Sequence, residues 1–381
     1  MIFRELGKTG CSVSAIGLGC EHLDRKPYEQ VKETVDAALS YGVNIMDVFM
    51  PGATVRGHIA KALGDRRRDV FIQGHIGATD VNQQYDISRD MPTVKKYFED
   101  LLRIFGGYID FGMMFFIDSE KDYKSVFETE FADYVQKLKR DGDIRHIGFS
   151  SHNPLTAAKA IETGLPDMMM FSINLPFDML PPDTYVFDHF EKDFGVGVFR
   201  GIDPERARLY KLCTKKQVGI TVMKTLGAGK LLNAEQSPFR NPMTIQQCIE
   251  YALSRPAVAS VLPGCKTSAE VDGVMKYLTC GDDEKDYSHI LNETRNDFRG
   301  NCLYCNHCQP CPAEIDIAAV MKYLDIALLD EGNTPPSVLS HYQSLDKNAS
   351  CCIRCGNCES RCPFGVPIIE NMGKAVGVFN G

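Results

Sequence analysis

Eight short apolar runs separated by amphipathic stretches narrow the folds open to this 381-residue chain more than any other feature. They lie at residues 15–19, 43–47, 69–73, 109–117, 144–149, 168–173, 219–223 and 258–262. Between them apolar residues recur at helical spacing, as in Val31, Val35, Ala38 and Leu39, in Phe127, Phe131, Tyr134 and Leu138, and in Val271, Val274 and Leu278. Strands alternating with helices imply parallel βαβ units, and eight such units close into an α/β architecture, the (β/α)8 TIM barrel. An open doubly wound sheet competes, but it carries a Gly-rich phosphate loop after its first strand, and none follows residue 19 here. A short hairpin, residues 3–6 turning at Lys8-Thr-Gly10 into 12–14, precedes the first unit.

The alternation stops near residue 280, in the polar stretch Cys280-Gly-Asp-Asp-Glu-Lys-Asp. That divides the chain into a barrel at 1–280, a linker helix at 281–300 and a small C-terminal domain at 301–381, helical over 317–329. Two cysteine runs define that domain: Cys302-Leu-Tyr-Cys305-Asn-His-Cys308-Gln-Pro-Cys311-Pro312, and Cys352-Ile-Arg-Cys355-Gly-Asn-Cys358-Glu-Ser-Arg-Cys362-Pro363. Soft thiolates spaced around tight loops suit iron–sulfur clusters. The second run has the ferredoxin spacing C-x2-C-x2-C-x3-C-P, and the first is one residue shorter before its last cysteine. In two-cluster ferredoxins the fourth cysteine of each run ligates the other cluster. The expectation is therefore a ferredoxin-like domain with one [4Fe–4S] cluster on Cys302, Cys305, Cys308 and Cys362, and a second on Cys352, Cys355, Cys358 and Cys311. A pair of structural zinc knuckles is the alternative.

Eight of the 15 cysteines fall in these runs, and the others are scattered without a pairing pattern, which points to a reducing, anaerobic cytoplasmic setting. A net charge of −8 argues against nucleic-acid partners. The chain has no apolar signal core and no run long enough to span a membrane.

Arg4-Glu-Leu-Gly-Lys-Thr-Gly10, Gly17-Leu-Gly19, Gly42-Val-Asn-Ile-Met-Asp47, Ile147-Gly-Phe-Ser-Ser151 and Gly219-Ile-Thr-Val-Met-Lys-Thr225 together resemble the aldo-keto reductases. The cysteine runs resemble those of the branch with a C-terminal ferredoxin-like domain. The resemblance implies carbonyl reduction by NADPH at the strand ends, with an Asp, a Tyr, a Lys and a His. Asp47 matches the Asp. Gly52 stands at the Tyr position, His75 at the Lys position and Phe115, beside Phe116, at the His position. Gly and Phe have no proton to give. Of the cofactor contacts, Met170 replaces the nicotinamide-binding Gln, Glu270 stands at a basic phosphate-binding position, and Gly273-Val274 replaces a Glu-Asn pair. NAD(P)H binding by the usual contacts is therefore doubtful. Lys266, Thr267 and Ser268 could still hold an anion at a helix start, with Ser150 and Asn174 as further cofactor-binding candidates.

Barrel active sites lie at the C-terminal strand ends. There Asp47 and His75 end neighbouring strands and form a candidate acid–base pair, with Lys224 as a candidate partner for a substrate anion. A metal site built from His22, His75, His152 and nearby carboxylates is an alternative. Cys20, Cys265 and the Met168–Met170 run read as packing. Two functions remain open. One is an iron–sulfur oxidoreductase acting on a small carbonyl or enone-like substrate, with a ferredoxin or other redox partner. The other is a non-redox lyase or isomerase, or an electron-transfer module, on a repurposed barrel.

Overall fold

The computed structural model describes residues 1–81, 84–179, 202–239, 241–293, 300, 302, 304–306, 308–328, 334–362 and 364–379. Eight parallel strands form one sheet: β1 Leu18–Gly19, β2 Ile45–Val48, β3 Phe71–Ile76, β4 Ile109–Met114, β5 Ile144–Ser151, β6 Met168–Ser172, β7 Gly219–Met223 and β8 Val258–Val261. Each pairs with the next in chain order. Parallel bridges Ile16↔Val261 and Gly19↔Gly264 join first strand to last, so the sheet closes and the open doubly wound alternative falls away. Strand ends differ from the sequence expectation by a few residues.

The seam is tight. A Cβ on Gly17 would lie 2.3 Å from Leu262 Cδ2 and 2.7 Å from the Ile45 carbonyl oxygen, and that backbone atom cannot swing aside. Gly17→Ala is therefore expected to cost about 1–3 kcal/mol through overpacking, read as a lowered thermal midpoint.

The helices α1 Tyr28–Ser40, α2 Ala53–Leu63, α3 Met91–Ile104, α4 Glu130–Asp141, α5 Pro154–Glu162, α6 Pro204–Lys216, α7 Ile245–Ser254 and α8 Ser268–Met275 cover the outside. The helical pattern expected through Phe127 and Leu138 is broken in two. Thr129 caps α4, its hydroxyl accepting from the Phe131 N–H at 3.3 Å, and Phe127 ends a preceding helix, Glu120–Phe127. The N-terminal hairpin forms as expected, Phe3–Glu5 against Ser12–Ser14. A second hairpin, Ala78–Val81 with Gln84–Ile87, follows β3 and has no counterpart in the sequence reading.

The C-terminal region is an internal repeat. Tyr304 and Arg354, each just before the second cysteine of its run, have φ of +57° and +55°; Asn306 and Gly356, each just after it, have +60° and +79°. Glu314 and Gly365, three residues beyond Cys311 and Cys362, have +58° and +60°, and each donates its N–H back to that cysteine's carbonyl, at 2.9 and 3.3 Å. A helix follows each run at the same offset, α9 Ile317–Ala327 and, after α10 Pro336–Gln343, α11 Ile368–Phe379. Helix α9 packs against α10, α11 and the barrel helix α6. The region shares one apolar core with the barrel. Of the expected linker helix, Asp282–Lys285 and Ser288–Glu293 are helical, and residues 294–299 lie outside the described residues.

Candidate active site and cysteine loops

Parallel pairing of β2 with β3 sets Asp47 opposite Gln73, with His75 one pleat further along the same face. Asp47 Oδ1 lies 2.8 Å from His75 Nε2 and accepts from Gln73 Nε2 at 3.0 Å. The carboxylate can only accept, so Nε2 is the protonated ring nitrogen in the neutral imidazole. The expected pair is thus brought together, and it is buried: His75 is 2% and Asp47 3% exposed. The other ring nitrogen, His75 Nδ1, is buried with no hydrogen-bond partner among the described residues. The same holds for Gln73 Oε1 and, in the strands across the barrel, Ser172 Oγ and Thr221 Oγ1. Unsatisfied polar atoms in a buried space cost free energy unless a ligand or water meets them.

Aromatic rings cover the pair. The Phe115 ring meets His75 edge-on at 5.2 Å, Phe49 meets it at 6.0 Å, and Phe49 stacks on Phe115 at 5.9 Å. Tyr85 of the second hairpin packs on Phe49 at 5.2 Å. Phe115, which stands at the position of the family histidine, thus forms part of a hydrophobic roof. Gly52 is the N-cap of α2 with φ −62°, and a Cβ there would meet nothing closer than 3.6 Å, so neither backbone nor packing demands glycine in place of the tyrosine.

The remaining candidates are tied up locally or lie apart. Lys224 follows β7, four strands from β3, with φ +62°. Its carbonyl accepts from Asn174 Nδ2 at 2.8 Å, while Asn174 Oδ1 caps the turn Leu175–Asp178. Ser150 Oγ accepts from the Phe116 N–H at 2.9 Å. At the start of α8, Thr267 Oγ1 accepts from the Glu270 N–H, and the Glu270 carboxylate accepts from the Lys266 N–H at 2.6 Å. The chain's own carboxylate therefore sits among the Lys266, Thr267 and Ser268 groups expected to hold an anion. Cys20 and Cys265 are buried, and Met168 and Met170 fill the barrel interior, as packing requires.

A second Asp–His pair lies on the rim: Asp118 Oδ2 is 2.8 Å from His152 Nδ1, and Asp118 Oδ1 accepts from the His152 N–H and the Ser151 hydroxyl. Burial alone would raise the Asp118 carboxyl, but the His152 and Ser151 contacts outweigh it and hold it below the ordinary carboxylate value. From this rim a buried network runs through the helical layer. Arg206 donates to the His152 carbonyl at 3.2 Å and to Asp178, which also accepts from Tyr210 and, at 2.7 Å, from Tyr251. Arg255 Nε donates to the Tyr251 carbonyl at 3.3 Å, and Arg255 Nη2 to Tyr287 at 3.4 Å. The guanidinium also faces the ring of Tyr304, in the first cysteine loop, at 5.4 Å.

The cysteines fall into two groups. Cys311 lines one small pocket with Cys352, Cys355 and Cys358. Its walls include Ile315, Ile317, Ile353, Ile368 and Met372. Cys302 lies within electrostatic reach of Cys305 and Cys308, and Cys308 of Cys305, Cys358 and Cys362. Burial pushes the Cys302 thiol up, and that of Cys308 up to about 12. Among the described residues no three His, Cys, Asp or Glu side chains converge on a position for a single metal ion. Zinc draws its four thiolates onto one ion at about 2.3 Å. A four-iron cluster takes one thiolate per iron, so its cysteines ring a cavity, and this donor set fits that group. His22 packs against Gly264, and among the described residues the alternative three-histidine site is not assembled.

A closed eight-stranded α/β barrel with a carboxylate–imidazole pair at the C-terminal strand ends is the architecture of a barrel enzyme. The Aldo/keto reductase family model matches residues 15–246, and the chain belongs to that family. Among solved structures it is similar to the holo form of aldo-keto reductase AKR11C1 from Bacillus halodurans, with 20% identity, a TM-score of 0.61 and coverage of 77% of this chain and 97% of that one. An aldo-keto reductase from Klebsiella pneumoniae in complex with NADPH is 14% identical, with a TM-score of 0.51 and coverage of 74% and 91%. At these identities the likeness concerns the fold. No curated protein matches the chain. The family match ends before the cysteine runs. No helix among the described residues is long and apolar enough to cross a membrane.

Proposed function

We propose that the chain is an iron–sulfur oxidoreductase of aldo-keto reductase type that acts on a small carbonyl or enone-like substrate, without the family's NADPH and tyrosine chemistry. One observation carries this reading: Cys311 of the first run lines a cavity with three cysteines of the second. That neighbourhood supports an exchange of fourth ligands of the kind two-cluster ferredoxins use. Cys302, Cys305, Cys308 and Cys362 would hold the other cluster. When bound, such clusters supply or accept electrons one at a time, here from a ferredoxin or another low-potential redox partner.

In the barrel, Asp47 fixes the His75 tautomer through Nε2, and Gln73 holds the carboxylate. His75 Nδ1 is the atom left to pass a proton to a substrate oxygen. Phe49 and Phe115 keep water from the pair, so a substrate must slip beneath or displace those rings. The same roof favours a second reading, in which the pair is closed off and the chain serves as a non-redox or electron-transfer module. Dithionite-reduced protein, kept without oxygen, is expected to reoxidise when candidate carbonyls or enones are added; reoxidation by none of a broad panel would favour the second reading. NADPH is expected to bind only on the order of mM, because a lost charge-assisted phosphate contact costs about 1.5–3 kcal/mol. Micromolar binding by calorimetry would restore the nucleotide.

A further inference from the structure

We propose that Arg255, a barrel residue, raises the reduction potential of the cluster on Cys302, Cys305, Cys308 and Cys362; this rests on the iron–sulfur reading above. Arg255 is 1% exposed, between the end of α7 and the start of β8. Its guanidinium stacks on Tyr251 at 4.5 Å, donates to Ser254 Oγ at 2.9 Å and to the Tyr287 hydroxyl at 3.4 Å, and faces the Tyr304 ring at 5.4 Å. Tyr304 directly precedes Cys305, and Tyr287 lies within electrostatic reach of Cys305. Arginine keeps its charge throughout the accessible pH range. Uptake of one electron makes a cluster more negative with no bond made or broken, and a fixed cation held nearby in a medium of low dielectric favours that form.

The second cysteine group has a different cation. Arg354 lines its cavity at the position equivalent to Tyr304, but it is exposed, so water and salt screen it. In the repeat, therefore, the barrel supplies a buried charge beside Tyr304, whereas the cation at the equivalent place of the second loop, Arg354, is exposed. Arg255 also ends the network that begins at Arg206 and Asp178, so it is a positioning residue that links barrel wall to cluster, not a group that meets substrate.

The test is redox potentiometry of anaerobic protein, followed by electron paramagnetic resonance, with iron counted in each sample. Arg255→Gln is expected to lower one of two midpoint potentials and leave the other in place. The one that moves should belong to the signal altered by Cys362→Ser. Arg255→Lys, which keeps the charge, should stay closer to wild type. Should Arg255→Gln fail to fold, Tyr287→Phe, which removes one anchor of the guanidinium, should shift the same midpoint by less. Iron-loaded Arg255→Gln with both midpoints unmoved would overturn the inference and leave the iron–sulfur reading standing, as would movement of the Cys355-side cluster alone. In the fallback series, an unmoved midpoint in Tyr287→Phe also overturns it. Wild-type protein without iron would sink both.

Discussion

Cys362→Ser protein, purified without oxygen, is expected to lose the cluster held by Cys302, Cys305 and Cys308, so that bound iron falls from about eight to about four per chain. The direction is counterintuitive from sequence order, because Cys362 belongs to the second run. It follows from the repeat: Cys311 lines the pocket of Cys352, Cys355 and Cys358, which leaves Cys362, with Cys308 in reach, to complete the other set. The reciprocal Cys311→Ser should damage the second cluster and spare the first. Each can be followed by iron analysis and by the loss of one of two paramagnetic signals on reduction. If Cys362→Ser removed only the cluster of its own run, the exchange of fourth ligands would be wrong. Zinc in place of iron would remove the electron-transfer reading altogether.

Once turnover is found, His75→Phe should lower it by at least about a hundredfold with the iron content unchanged, since general acid–base help is typically worth 10²–10⁴. Phenylalanine fits a site already walled by Phe49 and Phe115, so the loss would report chemistry more than packing. Asp47→Asn should also slow the reaction, because an amide can turn its NH2 toward Nε2 and so favour the other ring tautomer. Gln73→Leu tests the support from below: a smaller loss is expected, since the Asp47–His75 bond itself remains. Wild-type rates in His75→Phe would make the pair a relic of the ancestral site.

The barrel and the pairing of Asp47 with His75 were legible because both follow from period and register. Apolar runs at regular intervals dictate parallel strands, and residues that end adjacent strands meet. Gln73 was missed, although the signal was there: it stands two residues before His75, hence on the same strand face. The hairpin at Ala78–Ile87 was not legible, because its short strands alternate without a continuous apolar face, and Gln84–Ile87 is exposed throughout. Helix α4 was misread because Phe127 fits its apolar period, yet the Thr129 cap wins locally. At the anion candidates Lys266–Ser268, spacing reveals a helix start but not that Glu270 folds back onto it. The Asp178 network lay beyond sequence reading, since its members, His152, Asp178, α6, α7 and Tyr287, come from five separate segments.

The first cysteine loop meets the barrel at Arg255, just ahead of β8, whereas His75 sits near the other end of the strands. The protein therefore has two doors that do not share a hallway. A compound that plugs the barrel mouth should leave clusters bound on the cysteine loops free to be reduced by dithionite. A chelator or oxidant arriving at exposed Cys355 need not pass the phenylalanine roof at all. Poisons of the two kinds should act independently on binding, and each should leave the other's spectroscopic signature intact.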